Sequence, residues 1–477
     1  MLKKKAIAVL LGASLTAAFL GGCSFSGNSG KTINLTVWTY YNGDQLASFD
    51  RLIDEFNKTV GEKENIVVKS SSQGNVNDLE TNVLASAEGK VDALDMPNIF
   101  SAYADTAYAL DQMGQVVDLA PYLTDEEKDA YISNYLEEGD FSDDGSIRIF
   151  PSAKSTELLF LNDTDWQAFS EATGASYSDL ETIEGLVSTA ELYYNWTDEQ
   201  TPEAGDGKAL FGRDAMANYM LVGAKELGCT IFDVQDGKMT LNFDHDVVRK
   251  LWDNYYVPFV KGYFAASGRF RSDDIKTGNI LAYAGSTSSA TFFPDQVSTS
   301  DSDTHDISMK VLPSPHFADG EKYAVQQGAG MVVTQGSEEE IKACVTFLKW
   351  FTEPENNITF SVESGYLPVT KEANNMDAIR KQNSSISSSM DEILSAAVDS
   401  INTCQLYTTK PFETGKDARS IIENILSDQA AADRAVVAER LNEGQSLEEA
   451  AAEFLTDDYF ETWYTSALAA LSAYADN

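Results

Sequence analysis

Tyrosine and glutamine side chains follow the first two strand-like segments of the chain and are candidates for ligand contact. Tyr40 and Tyr41 come directly after the alternating segment 33–39, and Gln73 comes soon after the apolar segment 65–69. Aromatic rings offer flat apolar faces, while hydroxyl and amide groups both donate and accept hydrogen bonds. This combination suits a ligand rich in hydroxyl groups. Tyr40 and Tyr41 fit equally well as packing residues in a core.

A second candidate is the loop 364–370, with the sequence Ser-Gly-Tyr-Leu-Pro-Val-Thr. Gly365 relaxes the backbone, and Pro368 fixes its own φ and favours extended geometry at the residue before it. Tyr366 therefore stands on a stiffened loop, which is how a protein holds an aromatic ring at a cleft. Taken alone, such a heptapeptide is more often a Gly/Pro turn with a buried tyrosine.

Catalysis and metal binding have weaker support in the residue pattern. The three histidines, His245, His305 and His316, lack the spacing of a zinc motif. The 75 acidic residues guarantee that some carboxylates pair in any fold, so no pair points to glycoside hydrolysis, which needs two carboxyl groups about 5 to 9 Å apart. We expect no enzyme activity, no metal and no cofactor, with a lipid-anchored polysaccharide hydrolase as the alternative. A scaffold without a ligand would carry repeats, and none is found.

The N-terminus has the pattern of a secretory signal over residues 1–22. Three lysines precede an apolar run from 6 to 20, which is short for a membrane span. The run ends at Leu-Gly-Gly-Cys, a lipobox, which predicts a diacylglyceryl anchor on Cys23. Two acyl chains hold a protein on a membrane where a single chain is marginal. Residues 23–31 are typical of a flexible tether. The alternative is an ordinary cleaved signal with a chance cysteine.

Length and charge fit an exported body with two large lobes. The 477 residues are about three times the usual domain size, so one core is less expected than two. The formal net charge is −41. The predicted cleavage removes the three lysines of the signal peptide, which makes the mature chain still more negative. Such a field repels nucleic acid at long range, so we expect no nucleic-acid partner. It also disfavours an anionic ligand unless a local basic group overrides it.

Alternating strands and helices must position these side chains. Segment 33–39 alternates with period two, a helix with one apolar face follows, and 65–69 supplies the next strand. In open α/β sheets ligands sit at the carboxyl ends of strands, where this βαβ start places Tyr40, Tyr41 and Gln73. The predicted fold class is α/β, with a helical, alanine-rich tail from Lys371 onward.

Three blocks in the second half of the chain occur in an order that resembles a known family. They are the strand-like segment 324–333, a helix opened by the capping box Ser337-x-x-Glu340, and the segment 347–355 that leads into the loop 364–370. This order resembles the extracellular solute-binding proteins of ABC sugar importers, which include maltose-binding and glycerol-3-phosphate-binding types. The resemblance spans nearly the whole mature chain. It implies a type II periplasmic-binding-protein fold, in which two lobes, each a mixed sheet flanked by helices, are joined by three crossings.

The resemblance also implies ligand contacts. The matching residues are Tyr40, Tyr41, Ser155, Thr156, Ser286, Tyr366 and Arg419. In the family, the loop tyrosine lies in the cleft, a Ser-Thr pair lies beside the first crossing, and a Gly/Ser loop like the one holding Ser286 ends the return crossing. In the glycerol-3-phosphate-binding branch an arginine in the neighbourhood of Arg419 meets the ligand phosphate, although the sequence around Arg419 departs from that branch. Turns and helix caps are the alternatives for the hydroxyl residues, and a surface position is the more common one for Arg419.

The resemblance predicts the domain organisation and the function. We expect lobe one at 32–153 and 284–345 and lobe two at 154–283 and 346–477. The protein is expected to be a monomer, held by its lipid on the extracellular face of the bacterial cytoplasmic membrane. It would capture a sugar or oligosaccharide in the cleft and deliver it to the transmembrane subunits of an ABC permease. A binding protein for a non-sugar solute is a further alternative.

Overall fold

A computed structural model describes residues 31–300 and 303–475. The predicted signal peptide, Cys23 and all of the tether except Lys31 lie outside these residues. Within them, no helix combines the length and the apolar character that crossing a membrane requires.

The strands, in chain order, are β1 (Ile33–Thr39), β2 (Ile66–Ser72), β3 (Ile99–Ala102), β4 (Glu157–Asn162), β5 (Phe211–Arg213), β6 (Phe232–Gln235), β7 (Lys238–Leu241), β8 (Ala282–Ser286), β9 (Gln296–Ser300), β10 (Asp303–Asp306), β11 (Met309–Pro313), β12 (Tyr323–Val325), β13 (Gly330–Val333) and β14 (Gln405–Tyr407). The predicted strand 324–333 is thus two short strands, separated by residues 326–329.

The helices are α1 (Gly43–Lys58), α2 (Val60–Glu64), α3 (Val76–Ala87), α4 (Ala104–Gln112), α5 (Asp125–Ala130), α6 (Ser133–Glu137), α7 (Asp163–Thr173), α8 (Ile183–Asp198), α9 (Met216–Glu226), α10 (His245–Val260), α11 (Arg271–Lys276), α12 (Glu338–Phe351), α13 (Pro354–Ser364), α14 (Met376–Gln382), α15 (Ser388–Thr403), α16 (Gly415–Asn442), α17 (Leu447–Ala451) and α18 (Asp457–Ser472). The predicted capping box opens α12, where Ser337 and Glu340 cap each other's backbone N–H groups.

The first sheet organises lobe one. Its order is β13-β3-β1-β2. Strand β1 is parallel to both of its neighbours, β2 and β3, whereas β13 is antiparallel to β3. Leu35 and Val37 of β1 alternate into the core, and α1 packs Phe49 and Phe56 against them. The predicted βαβ start is therefore confirmed, and the carboxyl ends of β1, β2 and β3 lie at one edge of this sheet.

The second sheet organises lobe two, in the order β11-β4-β8-β5. All six residues of β4 are buried because helices cover both faces of the sheet. Leu159 and Leu161 face a core with α8, α9, α10 and α16, while Leu158 and Phe160 face a core with α15. The long helical tail thus completes lobe two.

The chain passes between the two lobes three times, through residues 153–157, 313–330 and 367–373. The crossings lie side by side, since Lys154 bridges to Leu367 and Ser155 bridges to Gln327. The fully buried Lys154 ammonium group pairs with Glu138 and donates a hydrogen bond to the Gly328 carbonyl at 2.8 Å. Adjacent connecting segments of this kind form a hinge. The predicted two-lobed α/β fold is confirmed.

Strand pairing and helix packing place two segments in a different lobe from the one predicted. β11, expected in lobe one as part of 284–345, pairs antiparallel with β4 in the second sheet. α13, expected in lobe two as part of 346–477, packs Phe360 against Phe49 and Tyr41 in lobe one. The predicted boundary at 345 also cuts α12, which continues to Phe351. Burial of the apolar face of each element decides its lobe, and that face needs partners that are distant in the sequence.

Candidate functional site

A cavity of about 270 Å³ lies between the lobes. Both lobes supply polar and aromatic side chains to its wall. Lobe one contributes Asn77, Glu80, Tyr103, Asp105 and Glu138, and lobe two contributes Asn218, Phe232, Tyr407, Lys416 and Arg419. A mixed wall of this type, built by two domains at their junction, is typical of a small-molecule site.

The lobes touch at the rim of this cavity. Lys416 of α16 pairs with Glu80 of α3 across the junction, and Lys410 pairs with Asp143 at 2.5 Å. At Gly415 a Cβ atom would lie 2.5 Å from Asp105 Oδ1, so a larger residue there would displace the Asp105 side chain. The rim contacts close the two lobes around the cavity.

Asp105 stands in the first turn of α4 and lines the cavity from lobe one. Burial raises the pKa of its carboxyl group from the ordinary 3.8 to about 6, Arg419 partly offsets the rise, and Glu80 adds to it. Because the folded-state pKa is the higher one, the stabilising contribution of Asp105 is complete below about pH 4 and is lost as the pH rises through about 6. At neutral pH the charged Asp105 carboxylate therefore lowers the stability of the folded protein. A buried carboxylate of this kind in a cleft is a functional-site candidate.

Arg419 reaches the cavity from lobe two. Its Nη2 atom donates a hydrogen bond to Asn218 Oδ1 at 2.7 Å, and its charge lowers the pKa of Asp105. A guanidinium group carries five N–H donors, so the hydrogen bond to Asn218 leaves donors for a ligand. Arg419 and Asp105 therefore offer a donor and an acceptor from opposite lobes.

Three tyrosine hydroxyl groups connect the core of lobe one to the cavity. The hydroxyl oxygens of Tyr366 and Tyr40 lie 3.1 Å apart, and the Tyr40 hydroxyl also interacts with that of Tyr103. Burial, and then the neighbouring Tyr366, raise the pKa of Tyr40 well above 10, so its hydroxyl group stays neutral. Of the three rings only Tyr103, which is 37% exposed, lines the cavity.

A family model described as bacterial extracellular solute-binding protein matches residues 51–384, more than half of the chain. The chain belongs to the bacterial extracellular solute-binding proteins. The predicted resemblance is thereby confirmed at the level of the family, whose members are binding proteins. No curated protein matches the chain.

Several solved structures share the fold of this solute-binding protein. The cyclic alpha-maltosyl-1,6-maltose binding protein of Arthrobacter globiformis is 17% identical, with a TM-score of 0.66 over 93% of this chain and 99% of that one. The GacH receptor of Streptomyces glaucescens, described both unliganded and in complex with acarbose, is 14% identical, with a TM-score of 0.64 over 93% of this chain and 100% of that one. UgpB of Mycobacterium tuberculosis, solved with glycerophosphocholine, is 19% identical, with a TM-score of 0.64 over 87% and 98%. These likenesses establish the fold.

The residues predicted to contact ligand fall into two groups in this solute-binding protein. Arg419 lines the cavity. Tyr40 does not line it, but its hydroxyl group interacts with that of Tyr103, which does. Tyr366, 4% exposed, stacks on Phe360 in the core of lobe one, and Tyr41, 1% exposed, packs there on Phe49. Both rings therefore have the packing role that the sequence offered as their alternative.

The other predicted contacts lie away from the cavity wall. Gln73 donates to Ser71 and accepts from Asn82, both in lobe one. Ser155 and Thr156 are buried in the first crossing, and the Thr156 carbonyl accepts a hydrogen bond from the backbone of Thr287. Ser286 caps the 3-10 turn Thr287–Phe292. The cap role that the sequence offered as an alternative therefore applies to Ser286, whereas the buried Thr156 hydroxyl has no hydrogen-bond partner.

Sequence reasoning missed Tyr103, Asp105 and Asn218. Tyr103 directly follows β3, so the strand-end rule that selected Tyr40 could have found it. Asp105 comes two residues later, at the start of α4. No local signal marks Asn218, whose place at the cavity depends on how α9 packs against α16. Among the described residues, no group of three or more His, Cys, Asp or Glu side chains is arranged to hold a metal ion.

Proposed function

We propose that the protein binds a sugar or oligosaccharide in the cavity between its lobes, as the solute receptor of an ABC importer. The carrying observation is the convergence of Tyr103 and Asp105 from lobe one with Asn218 and Arg419 from lobe two on one cavity. Carboxylate, amide and guanidinium groups form hydrogen bonds with sugar hydroxyls, which both donate and accept, and an aromatic ring packs on the apolar face of a sugar.

The charges of the cavity favour a neutral ligand over an anionic one. Each of its two cations faces an acid, since Lys416 pairs with Glu80 and Arg419 interacts with Asp105. Glu138 adds a further carboxylate, which Lys154 pairs from the hinge. A phosphate group would therefore meet as much negative as positive charge. Two of the three structural neighbours also favour a neutral sugar, because they are described with maltose-type or acarbose ligands. The third, UgpB, is described with a phosphodiester.

A thermal-shift panel of mono-, di- and oligosaccharides tests this function. A sugar at a hundredfold excess over its Kd adds about 2.7 kcal/mol to the free energy of unfolding, so a matching sugar should raise the melting temperature clearly. Glycerophosphodiesters, peptides and polyamines serve as controls. Stabilisation by one of these classes together with no response to any sugar would remove the carbohydrate assignment.

The bound sugar is expected to leave the protein chemically unchanged. The same panel, analysed by chromatography after overnight incubation, distinguishes a receptor from the alternative, a polysaccharide hydrolase. Product that accumulates in proportion to the protein concentration would establish the hydrolase.

We also propose that a diacylglyceryl group on Cys23 anchors the protein beside its permease on the outer face of the cytoplasmic membrane. The lipobox at Leu-Gly-Gly-Cys supports this anchor. Cys23→Ser should release the protein into the medium with its sugar affinity unaltered, because the tether separates the anchor from the lobes. Fractionation of cells expressing each form measures the release. A Cys23→Ser protein that stays on the membrane in high salt would show that something other than lipid holds it.

A further inference from the structure

Glu138 is a cavity residue whose two carboxylate oxygens have different surroundings. It directly follows α6 in lobe one, its side chain is 5% exposed, and it lines the cavity between the lobes. Its Oε2 atom accepts hydrogen bonds from Gln326 Nε2 at 2.6 Å and from the ammonium group of Lys154. Within the described part of the chain, no group donates a hydrogen bond to its Oε1 atom. One oxygen is therefore bound inside the protein, and the other is available to a ligand hydroxyl.

Lys154 joins the three crossings between the lobes at one point. It belongs to the first crossing, its Nζ atom donates to the Gly328 carbonyl of the second at 2.8 Å, and its backbone N–H donates to the Leu367 carbonyl of the third at 3.1 Å. At Gly328, with φ of 84°, a Cβ atom would lie 2.7 Å from the Ala153 carbonyl oxygen, so a side chain there would force the first two crossings apart. The pairing of Lys154 with Glu138 therefore connects the hinge with the cavity wall.

The position of Glu138 depends on groups that belong to the hinge. The Lys154 side chain is fully buried and lies behind the cavity wall rather than in it. A buried charge is stable only when it is paired, so this ammonium group holds the Glu138 carboxylate in place. Gln326 of the second crossing, 6% exposed, donates to the same oxygen and also to the Asn134 carbonyl at 3.2 Å. The free oxygen of Glu138 is thus aligned by residues of two crossings.

Resting on the proposed function, we propose that Lys154 is a positioning residue for sugar binding, which acts through Glu138 and holds its free oxygen where a sugar hydroxyl donates to it. The same ammonium group also binds the second crossing. The hydrogen bond from the sugar and the arrangement of the crossings are therefore coupled. Coupling between two sites is reciprocal, so a change at Lys154 in the hinge should alter the affinity of the cavity for its sugar.

A double-mutant cycle on sugar affinity tests this inference. Maltotriose, and every other panel sugar that raises the melting temperature, is titrated into the wild type, Lys154→Met, Glu138→Gln and the double variant. Lys154→Met should bind about tenfold more weakly, within the usual range of coupling between sites. Glu138→Gln should show a loss of similar size. The double variant should bind no more weakly than Glu138→Gln, because Lys154 acts only through Glu138.

Stability is measured separately, by denaturant unfolding of each variant. Lys154→Met leaves a buried carboxylate unpaired and should be less stable than the double variant, which carries neither charge. Should Lys154→Met fail to fold, Lys154→Gln takes its place with the same expected loss of affinity, because it keeps a hydrogen-bond donor without the charge.

Lys349→Met is the matched control. Lys349 also binds one carboxylate, Glu127 at 2.6 Å, and one carbonyl, that of Tyr122 at 3.0 Å, but within lobe one and away from the cavity. Its affinity should equal that of the wild type. Wild-type affinity in the folded Lys154 variant, or losses that add in the double variant, overturns the inference while the proposed function stands. Failure of every panel sugar to bind the wild type overturns both.

Discussion

Tyr366→Ala should lower the free energy of unfolding by about 3 to 5 kcal/mol, the usual cost of truncating a large buried aromatic residue. The Tyr366 ring is 4% exposed and stacks on Phe360, with ring centroids 6.0 Å apart at an interplanar angle of 15°. It also meets the edge of Tyr41 at 6.0 Å. Truncation would leave a cavity in lobe one beside the third crossing. Urea unfolding of the ligand-free protein measures the loss.

Tyr366→Phe is the matched control, because it keeps the ring and loses the hydroxyl group that contacts Tyr40. Its expected cost is about 0.5 to 1.5 kcal/mol, the net value of one hydrogen bond. Sugar affinity in the folded fraction of Tyr366→Ala should change little compared with its stability. The opposite result, normal stability with a large loss of affinity, would mean that the ring faces the ligand.

The sequence predicted the backbone conformation of the loop 364–370 better than the surroundings of its tyrosine ring. Gly365 adopts a left-handed conformation, with φ of 75°, and ends α13, which fits the relaxed backbone expected there. The direction of the Tyr366 ring depends instead on Phe360 and Tyr41, and Tyr41 comes from the other end of the chain. A turn motif fixes the backbone locally, but whether a ring enters a core or a cleft is decided by tertiary packing.

Arg419 is the opposite case, a residue whose local sequence favours an exposed surface position but which lines the cavity. On sequence grounds a surface position was the more common expectation, because arginine is usually exposed and nothing nearby in the chain marks a pocket. In the structure it faces Asp105 of the other lobe, more than 300 positions earlier. Only the meeting of α16 with α4 creates this site. The resemblance to a family singled out Arg419 where the local pattern did not.

The lobe boundaries failed for a related reason. Periodicity and capping signals identified β1, α1 and α12, because those signals are local. The partner of β11 is β4, which lies nearly 150 residues earlier, and no local property of β11 specifies that pairing. Strands and helices could thus be predicted one at a time, whereas their assignment to a sheet could not.

Arg419→Ala should weaken sugar binding by about 1.5 to 3 kcal/mol, the range for hydrogen bonds that involve a charged group. This loss corresponds to roughly 10- to 150-fold in Kd. The side chain is only partly buried, and its recorded partner, Asn218, keeps its hydrogen bond to Glu157, so the effect on stability should be much smaller. Arg440→Ala is the matched control. Arg440 lies on the same helix but binds Glu453 and the Ala450 carbonyl, away from the cavity.

Calorimetric titration of the most stabilising sugar into the wild type, Arg419→Ala and Arg440→Ala tests the central claim most directly. If the cavity between the lobes binds the sugar, the wild type and Arg440→Ala should bind it with equal affinity and a stoichiometry of one, and Arg419→Ala should bind it at least tenfold more weakly. Equal affinity in all three proteins, with Arg419→Ala fully folded, would contradict the assignment of the site to this cavity.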